Sequence, residues 1–113
     1  MQVAKISLVE SKVSSTSLEL ESNSLAGSIP AGDLTTLMFL RLRDNQLTGY
    51  IPSHLGGLQA LEVLALQNNN LSGTFPSEEP ELTSLYLQDN ELSGPLPTWA
   101  IHIGANVGEN HFM

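Results

Sequence analysis

The 113-residue chain contains no cysteine, four lysine and arginine residues in total, and few aromatic side chains. Without cysteine it can form no disulfide and has no thiol nucleophile. No apolar run approaches the roughly 18 residues of a transmembrane helix, so we expect no membrane segment in this chain. The glycines are dispersed along the chain and build no phosphate-binding loop. These absences remove several classes of enzyme and leave recognition as the first function to consider.

The charge is strongly one-sided. The formal net charge is −8, and the positive side chains are Lys5, Lys12, Arg41 and Arg43. Phosphate backbones and anionic membrane surfaces require clustered cations, so we expect no nucleic-acid partner and no binding to an anionic membrane. A neutral or basic protein partner fits the negative electrostatic field of the chain better than a polyanion does, although acidity by itself mainly favours solubility. The N-terminus has no long apolar run before Glu10 and makes a poor secretory signal, which leaves the localisation unknown.

One phrase recurs around an asparagine, as in Leu40-Arg-Leu42-Arg-Asp-Asn45-Gln-Leu47. The five asparagines are separated by 22, 24, 21 and 20 residues. They are Asn23, Asn45, Asn69, Asn90 and Asn110. A nearly fixed period in the twenties predicts a solenoid of stacked coils.

Each phrase begins with alternating apolar residues, such as Leu40 and Leu42, which predicts a short strand with one buried face. The asparagine follows where the strand ends and the chain turns. Its amide has both an acceptor and two donors, so we expect it to point inward and satisfy unpaired backbone groups in the next coil. The five asparagines therefore predict a structural ladder that keeps the coils in register.

A second phrase follows, as in Leu47-Thr-Gly49-Tyr-Ile51-Pro52, and predicts a short extended segment on the opposite side of the coil. Together the two phrases closely resemble the plant-type leucine-rich repeat, and residues 37–58 match nearly its whole length. The resemblance implies an α/β-type repeat solenoid. Its parallel β-sheet lies on the concave face, its convex segments are short and 3₁₀ or irregular, and α-helix is scarce.

The repeats divide the chain into a degenerate N-terminal coil or cap at 1–16 and a leucine-rich repeat array at 17–113, with about four repeats and a partial fifth. The connector from Pro97 to Ala105 is the shortest, and we expect it to leave less convex helix. Plant-type relatives usually carry cysteine pairs in their end caps. Because this chain has none and stops within a repeat, it is interpreted as a fragment of a longer receptor or as a short array, and as a monomer.

Residues between the buried positions of each strand face solvent on the concave sheet. They form three columns: Ser17, Phe39, Val63, Ser84, Gly104; Glu19, Arg41, Ala65, Tyr86, Asn106; and Glu21, Arg43, Gln67, Gln88, Gly108. Aromatic and arginine side chains are typical of binding hot spots. The predicted partner-binding residues are Phe39, Arg41, Val63, Ala65 and Tyr86, with Arg43 and Gln67 at the rim.

Structural explanations remain open for the same residues. Phe39 and Val63 are good strand formers on a half-exposed sheet. Arg41 and Arg43 each face a carboxylate of the preceding strand, Glu19 and Glu21 respectively, and ion pairs between them account for both arginines without a ligand.

The resemblance implies a non-catalytic module that binds a protein or peptide ligand on its concave face. Such modules occur in plant receptor-like kinases and receptor-like proteins, at the cell surface or outside the cell. An enzyme inhibitor of the polygalacturonase-inhibitor type, an ice-binding protein and a structural fragment without its own function are the alternatives.

We predict no cofactor and no metal site, because His102, Glu109 and His111 match no standard ligand spacing. The triplet Asn70-Leu-Ser72 fits the N-glycosylation pattern. The consensus sequence of the repeat produces such triplets by itself. This triplet matters only in a chain that enters a secretory pathway.

Overall fold

The computed structural model describes residues 17–19, 26–27, 37–51, 59–75 and 81–112. These residues form short strands that alternate between two parallel sheets, and a short helix near the C-terminal end. The strands are β1 (Ser17–Glu19), β2 (Ala26–Gly27), β3 (Phe39–Arg41), β4 (Gln46–Tyr50), β5 (Val63–Ala65), β6 (Asn70–Thr74), β7 (Ser84–Tyr86), β8 (Glu91–Gly94) and β9 (His111–Phe112), and the helix is α1 (Thr98–His102).

The first sheet, with strand order β1-β3-β5-β7, is the concave sheet that the alternating leucines predict. Its central leucines Leu40, Leu64 and Leu85 pair in register and are at most 2% exposed. The leucine two residues further along each coil is also buried, so both leucines of the Leu-x-Leu run enter the core. In the partial fifth coil the sheet continues as a single bridge between Tyr86 and Asn106.

A second parallel sheet, with strand order β2-β4-β6-β8-β9, lies on another side of the leucine core and was not predicted. Its strands β4, β6 and β8 each follow an asparagine directly and contain the Leu-x-Gly phrase, with Leu47, Leu71 and Leu92 buried. The glycines Gly49, Gly73 and Gly94 have φ of 83°, 82° and 79°. This left-handed conformation is strained for other residues, which explains the recurrence of glycine at that position.

The asparagine ladder is present, but it connects each coil to the preceding coil and not to the next. Asn69 Oδ1 accepts a hydrogen bond from the Leu47 backbone N–H at 3.0 Å, and its Nδ2 donates to Leu42 O at 3.1 Å. The same Nδ2 donates to Leu66 O of its own coil at 3.0 Å. Asn90 and Asn110 repeat this pattern, and Asn45 donates to carbonyls of its own coil, whereas Asn23 lies outside the described residues.

The residue before each of these asparagines adopts a left-handed backbone conformation. Asp44, Asn68, Asp89 and Glu109 have φ of 60°, 61°, 62° and 56°. Asn and Asp tolerate this region better than most residues. The turn lies between a strand of the first sheet and a strand of the second, and the following asparagine points into the coil.

The helix α1 lies in the connector from Pro97 to Ala105. The other connectors lie largely outside the described residues, so the expectation that this one contains less helix stays a prediction. Trp99 and Ala100 are buried on its inner side, and the Trp99 ring lies 5.4 Å from the Phe75 ring, centroid to centroid. A single turn is sufficient to carry this large side chain onto the core, which explains helix in so short a connector. Residues 1–16 lie outside the described residues, so the boundary at residue 17 stays a prediction.

We predict that Asn69→Ala lowers the free energy of unfolding by about 1–3 kcal/mol, because it leaves the buried Leu47 N–H of the preceding coil without an acceptor. Leu42 O and Leu66 O each lose one donor but keep a second, from Asn45 and Asn90 respectively. The measurement is urea denaturation followed by circular dichroism. The control is Asn70→Ala, which changes the adjacent exposed asparagine and should shift stability by less than about 0.5 kcal/mol. Equal effects of the two substitutions would contradict the ladder.

Gly73 provides a second stability test, because a Cβ built on it would lie 2.5 Å from Cδ1 of the Tyr50 ring. Gly73→Ala therefore introduces a clash with Tyr50 as well as backbone strain of about 1–2 kcal/mol. In a Tyr50→Ala background the strain remains and the clash disappears, so the same substitution should cost less. Urea denaturation of the four proteins in this cycle measures the difference, and a cost that is the same in both backgrounds would rule out the contact.

Candidate functional site

The concave sheet brings the predicted contact residues together in the expected order. Phe39 pairs with Val63 in the first column, and Arg41, Ala65 and Tyr86 pair in the second. In the third column, backbone bonds of 3.0 Å from Asp44 N to Gln67 O and from Asn68 N to Gln88 O keep successive coils in step. The column assignment made from the sequence is thus confirmed where the structure describes it.

Arg41 contacts both an aromatic ring and a carboxylate of the concave sheet. Its guanidinium carbon lies 5.1 Å from the centroid of the Phe39 ring, and its Nη1 donates to Glu19 Oε2 at 2.9 Å. Ser17 Oγ donates to the same carboxylate oxygen at 2.7 Å. A cation over an aromatic ring is worth about 0.5–1 kcal/mol at exposed sites, and an exposed ion pair about 0–1 kcal/mol. Both contacts hold Arg41 in place, and part of its surface stays open.

Arg43 has a carboxylate partner within its own coil, since its Nη1 donates to Oδ2 of the adjacent Asp44 at 2.7 Å. Glu21, the partner that we inferred for it, lies outside the described residues, so that pair stays a prediction. Asp44 Oδ1 also accepts a hydrogen bond from Asn68 Nδ2 at 2.6 Å. The left-handed turn at Asp44 carries its carboxylate to both groups. The rim of the face is therefore a polar network across two coils.

Ala65 is the one predicted contact whose exposure is wrong. It occupies the expected position between Arg41 and Tyr86, but it is only 4% exposed because its methyl group is much shorter than the side chains of its column neighbours. Tyr86 is 39% exposed and Val63 is partly buried. Ala65 forms the floor of the face, and the accessible set, here called the concave patch, consists of Phe39, Arg41, Val63 and Tyr86, with Arg43 and Gln67 at its rim.

Two glutamines at the rim have unmet hydrogen-bonding capacity. The Oε1 atoms of Gln67 and Gln88 are buried and have no hydrogen-bond partner among the described residues. Both side chains as a whole are only partly buried, so a rotation of the amide can turn each acceptor toward solvent. Gln88 was not among the predicted contacts, although its place in the third column beside Gln67 identifies it.

The described histidines and carboxylates outside the concave patch form no larger cluster. His111 Nε2 lies 2.9 Å from Glu91 Oε1 across the second sheet, and both side chains are more than 60% exposed. Across the described parts of the chain, no group of three or more His, Asp or Glu residues is placed to hold a metal ion.

The family of the chain follows from comparison with known proteins. The model of the Leucine Rich Repeat family matches residues 36–58, 60–79 and 81–102, more than half of the chain, and the chain therefore belongs to this family. A comparison with curated proteins finds no match. Over residues 17–112, leaving aside the gaps in the description, no helix is long and apolar enough to cross a membrane.

Similar solved structures include plant receptor kinases. The ectodomain of the receptor kinase SOBIR1 from Arabidopsis thaliana is 26% identical with a TM-score of 0.79, covering 86% of this chain and 58% of that ectodomain. The Arabidopsis receptor kinase HAESA, in complex with the peptide hormone IDA and the co-receptor SERK1, is 30% identical with a TM-score of 0.78 over 86% of this chain. The plant peptide hormone receptor RGFR1, in complex with RGF2, is 36% identical with a TM-score of 0.75 over 85% of it.

The chain is much shorter than these relatives. It spans 58% of the SOBIR1 ectodomain, 18% of HAESA and 17% of RGFR1. The similarity therefore covers a few coils of a longer solenoid.

We predict that Glu19→Gln lowers the free energy of unfolding by at most about 1 kcal/mol, because the Arg41–Glu19 pair is exposed by 32% and 44% on its two side chains. The difference from wild type should shrink as salt rises, since salt screens exposed charges. Urea denaturation at low and high ionic strength measures both effects. A loss that is large and independent of salt would show that Arg41 is a structural element, unavailable to a ligand.

Proposed function

We propose that this chain is a non-catalytic module that binds a protein or peptide ligand through the concave patch. The observation that carries the proposal is the side of the sheet on which Phe39, Arg41 and Tyr86 lie. The core is filled by leucines on the other side of the same strands, so these three side chains are not needed to build it. Aromatic and arginine residues with exposed surface are the types that dominate binding energy at protein interfaces.

The distribution of charge supports ligand binding at the same face. Both arginines of the chain lie on the concave sheet or its rim, and residues 17–113 contain no lysine. The net charge of −8 is therefore offset locally at Arg41 and Arg43, although Glu19 and Asp44 neutralise part of this charge. The patch combines hydrogen-bond donors with an apolar surface, which fits a polypeptide better than a polyanion.

The geometry suits a ligand that crosses several coils. Strands of a sheet lie about 4.8 Å apart, so the patch presents side chains from three adjacent strands within a short distance. A polypeptide lying across β3, β5 and β7 would meet Phe39 and Val63 in one column and Arg41 and Tyr86 in the next. Gln67 and Gln88 would border it with their amides.

The relatives support a polypeptide ligand. HAESA is described in complex with a peptide hormone and RGFR1 in complex with RGF2, and both are at least 30% identical to this chain where they align. Because the chain spans less than a fifth of either protein, we restrict the proposal to recognition and leave signalling to other segments.

The test uses a random peptide library displayed on phage and selected against the purified chain. The selected peptides are then titrated by calorimetry against wild type and the double variant Phe39→Ala, Tyr86→Ala. We expect the double variant to bind at least about tenfold more weakly, equivalent to about 1.4 kcal/mol, because it removes both aromatic contacts.

The matched control is Tyr50→Ala, which removes an aromatic side chain that is 71% exposed on the second sheet. It should leave peptide affinity unchanged. Failure to select any peptide, full affinity of the double variant or loss of affinity in Tyr50→Ala would each contradict the proposal. Circular dichroism of every variant confirms that the fold is retained.

A further inference from the structure

The second sheet repeats one tripeptide in three coils. It reads Gln46-Leu47-Thr48 in β4, Asn70-Leu71-Ser72 in β6 and Glu91-Leu92-Ser93 in β8. In each copy the first residue is exposed and the leucine is buried. Asparagine, any residue except proline, then serine or threonine is the acceptor signal for N-glycosylation. The middle coil alone completes this signal, and no other triplet of the chain does so.

We propose that Asn70 is an N-glycosylation site and that its glycan covers the second sheet, leaving the concave patch open. This inference is independent of the proposed ligand. It rests on the contacts of Asn70, on the contrast with its two neighbours and on the position of β6 in the solenoid.

The Asn70 side chain is exposed and makes no hydrogen bond to the described residues. In the sheet register it faces Thr48 of β4, which is also exposed, and the pairing of β6 with β8 begins two residues later, at Ser72. A glycan attached to Nδ2 therefore displaces no structural contact of this side chain.

Asn68 and Asn69 show how strongly the folded coil discriminates between adjacent asparagines. Asn68 takes the left-handed turn and donates to Asp44, whereas Asn69 is 6% exposed and uses its amide in the ladder. A sugar on Asn69 would break that ladder. Asn70 has both the sequence signal and the free amide, and the fold can accommodate its modification.

The reaction joins Nδ2 of Asn70 to C1 of an oligosaccharide carried on a lipid pyrophosphate. The N–C1 bond forms as the bond from C1 to the pyrophosphate oxygen breaks. The lipid pyrophosphate leaves with the electron pair of that bond, and one amide proton is released. The cellular oligosaccharyltransferase supplies catalyst and donor, so the chain contributes only the acceptor.

A glycan at this position would cover one face of the coils and leave the concave face available for binding. The buried leucines of β5 and β6 belong to one core, so the exposed residues of the two strands point away from it on different sides. The sugar would shield the second sheet from proteins and leave Phe39, Arg41 and Tyr86 accessible.

The test is translation of the full chain behind a cleavable signal peptide in the presence of rough microsomes. Wild type should carry one glycan, seen as a single gel shift that peptide N-glycosidase removes and that peptide mapping assigns to Asn70. Asn70→Gln and Ser72→Ala should each abolish the shift. Asn68→Gln, which changes a neighbouring asparagine outside the signal, should retain it.

A relocation variant completes the design. Gln46→Asn in the Asn70→Gln background completes the signal in the equivalent position of the preceding coil, and it should restore a single glycan. Wild-type chain recovered from the microsomal lumen without a glycan overturns the proposal, whether or not the relocated site is modified. A glycan that survives Asn70→Gln also overturns it. Glycosylated wild type should bind the selected peptides as tightly as Asn70→Gln does, and weaker binding by the glycosylated chain would contradict the claim that the glycan leaves the concave patch open.

Discussion

The fold depends on the buried side-chain amides of the asparagine ladder. Each of Asn69, Asn90 and Asn110 spans two coils, accepting from a backbone N–H and donating to a carbonyl of the preceding coil. A coil of twenty-odd residues has little room for a core of its own, so its stability comes mainly from its neighbours. The leucines provide the buried apolar surface, and the ladder aligns each coil with the one before it.

Alignment of the coils is also what creates a recognition surface. Because the ladder keeps β3, β5 and β7 in register, residues from three different repeats become neighbours on the concave sheet. Phe39, Arg41 and Tyr86 are spread over 48 residues of sequence and still share one face. A solenoid can therefore vary its contacts freely while its leucines, glycines and asparagines remain fixed by packing.

Much of this arrangement was predictable from the sequence, and the failures have physical reasons. The period of two in each Leu-x-Leu run assigned the columns correctly. The second sheet was missed because β4, β6 and β8 contain one buried leucine each among polar residues and glycine, so no alternation signals a strand. The ladder's direction was wrong because an amide offers the same donors and acceptor to either neighbour, and spacing does not distinguish them.

The candidate site was also predictable from the sequence only in part. Register predicted which side chains share a column, but exposure depends on their lengths, and the methyl group of Ala65 is covered. Arg43 uses Asp44 because the left-handed turn brings the adjacent carboxylate within 2.7 Å, and a strand pattern contains no information about that turn. A contact set inferred from columns is therefore more dependable for long side chains, such as Phe39, Arg41 and Tyr86, than for short ones.

Amide hydrogen exchange tests the central claim most directly. The backbone N–H groups of Leu47, Leu71 and Leu92 donate to asparagine side chains of the following coils at 3.0 Å. In the wild-type chain these amides should exchange as slowly as the sheet amides of Leu42 and Leu66, whose acceptors are backbone carbonyls. Exchange of Leu47 and Leu71 at the rate of exposed amides would show that the ladder does not hold the coils together.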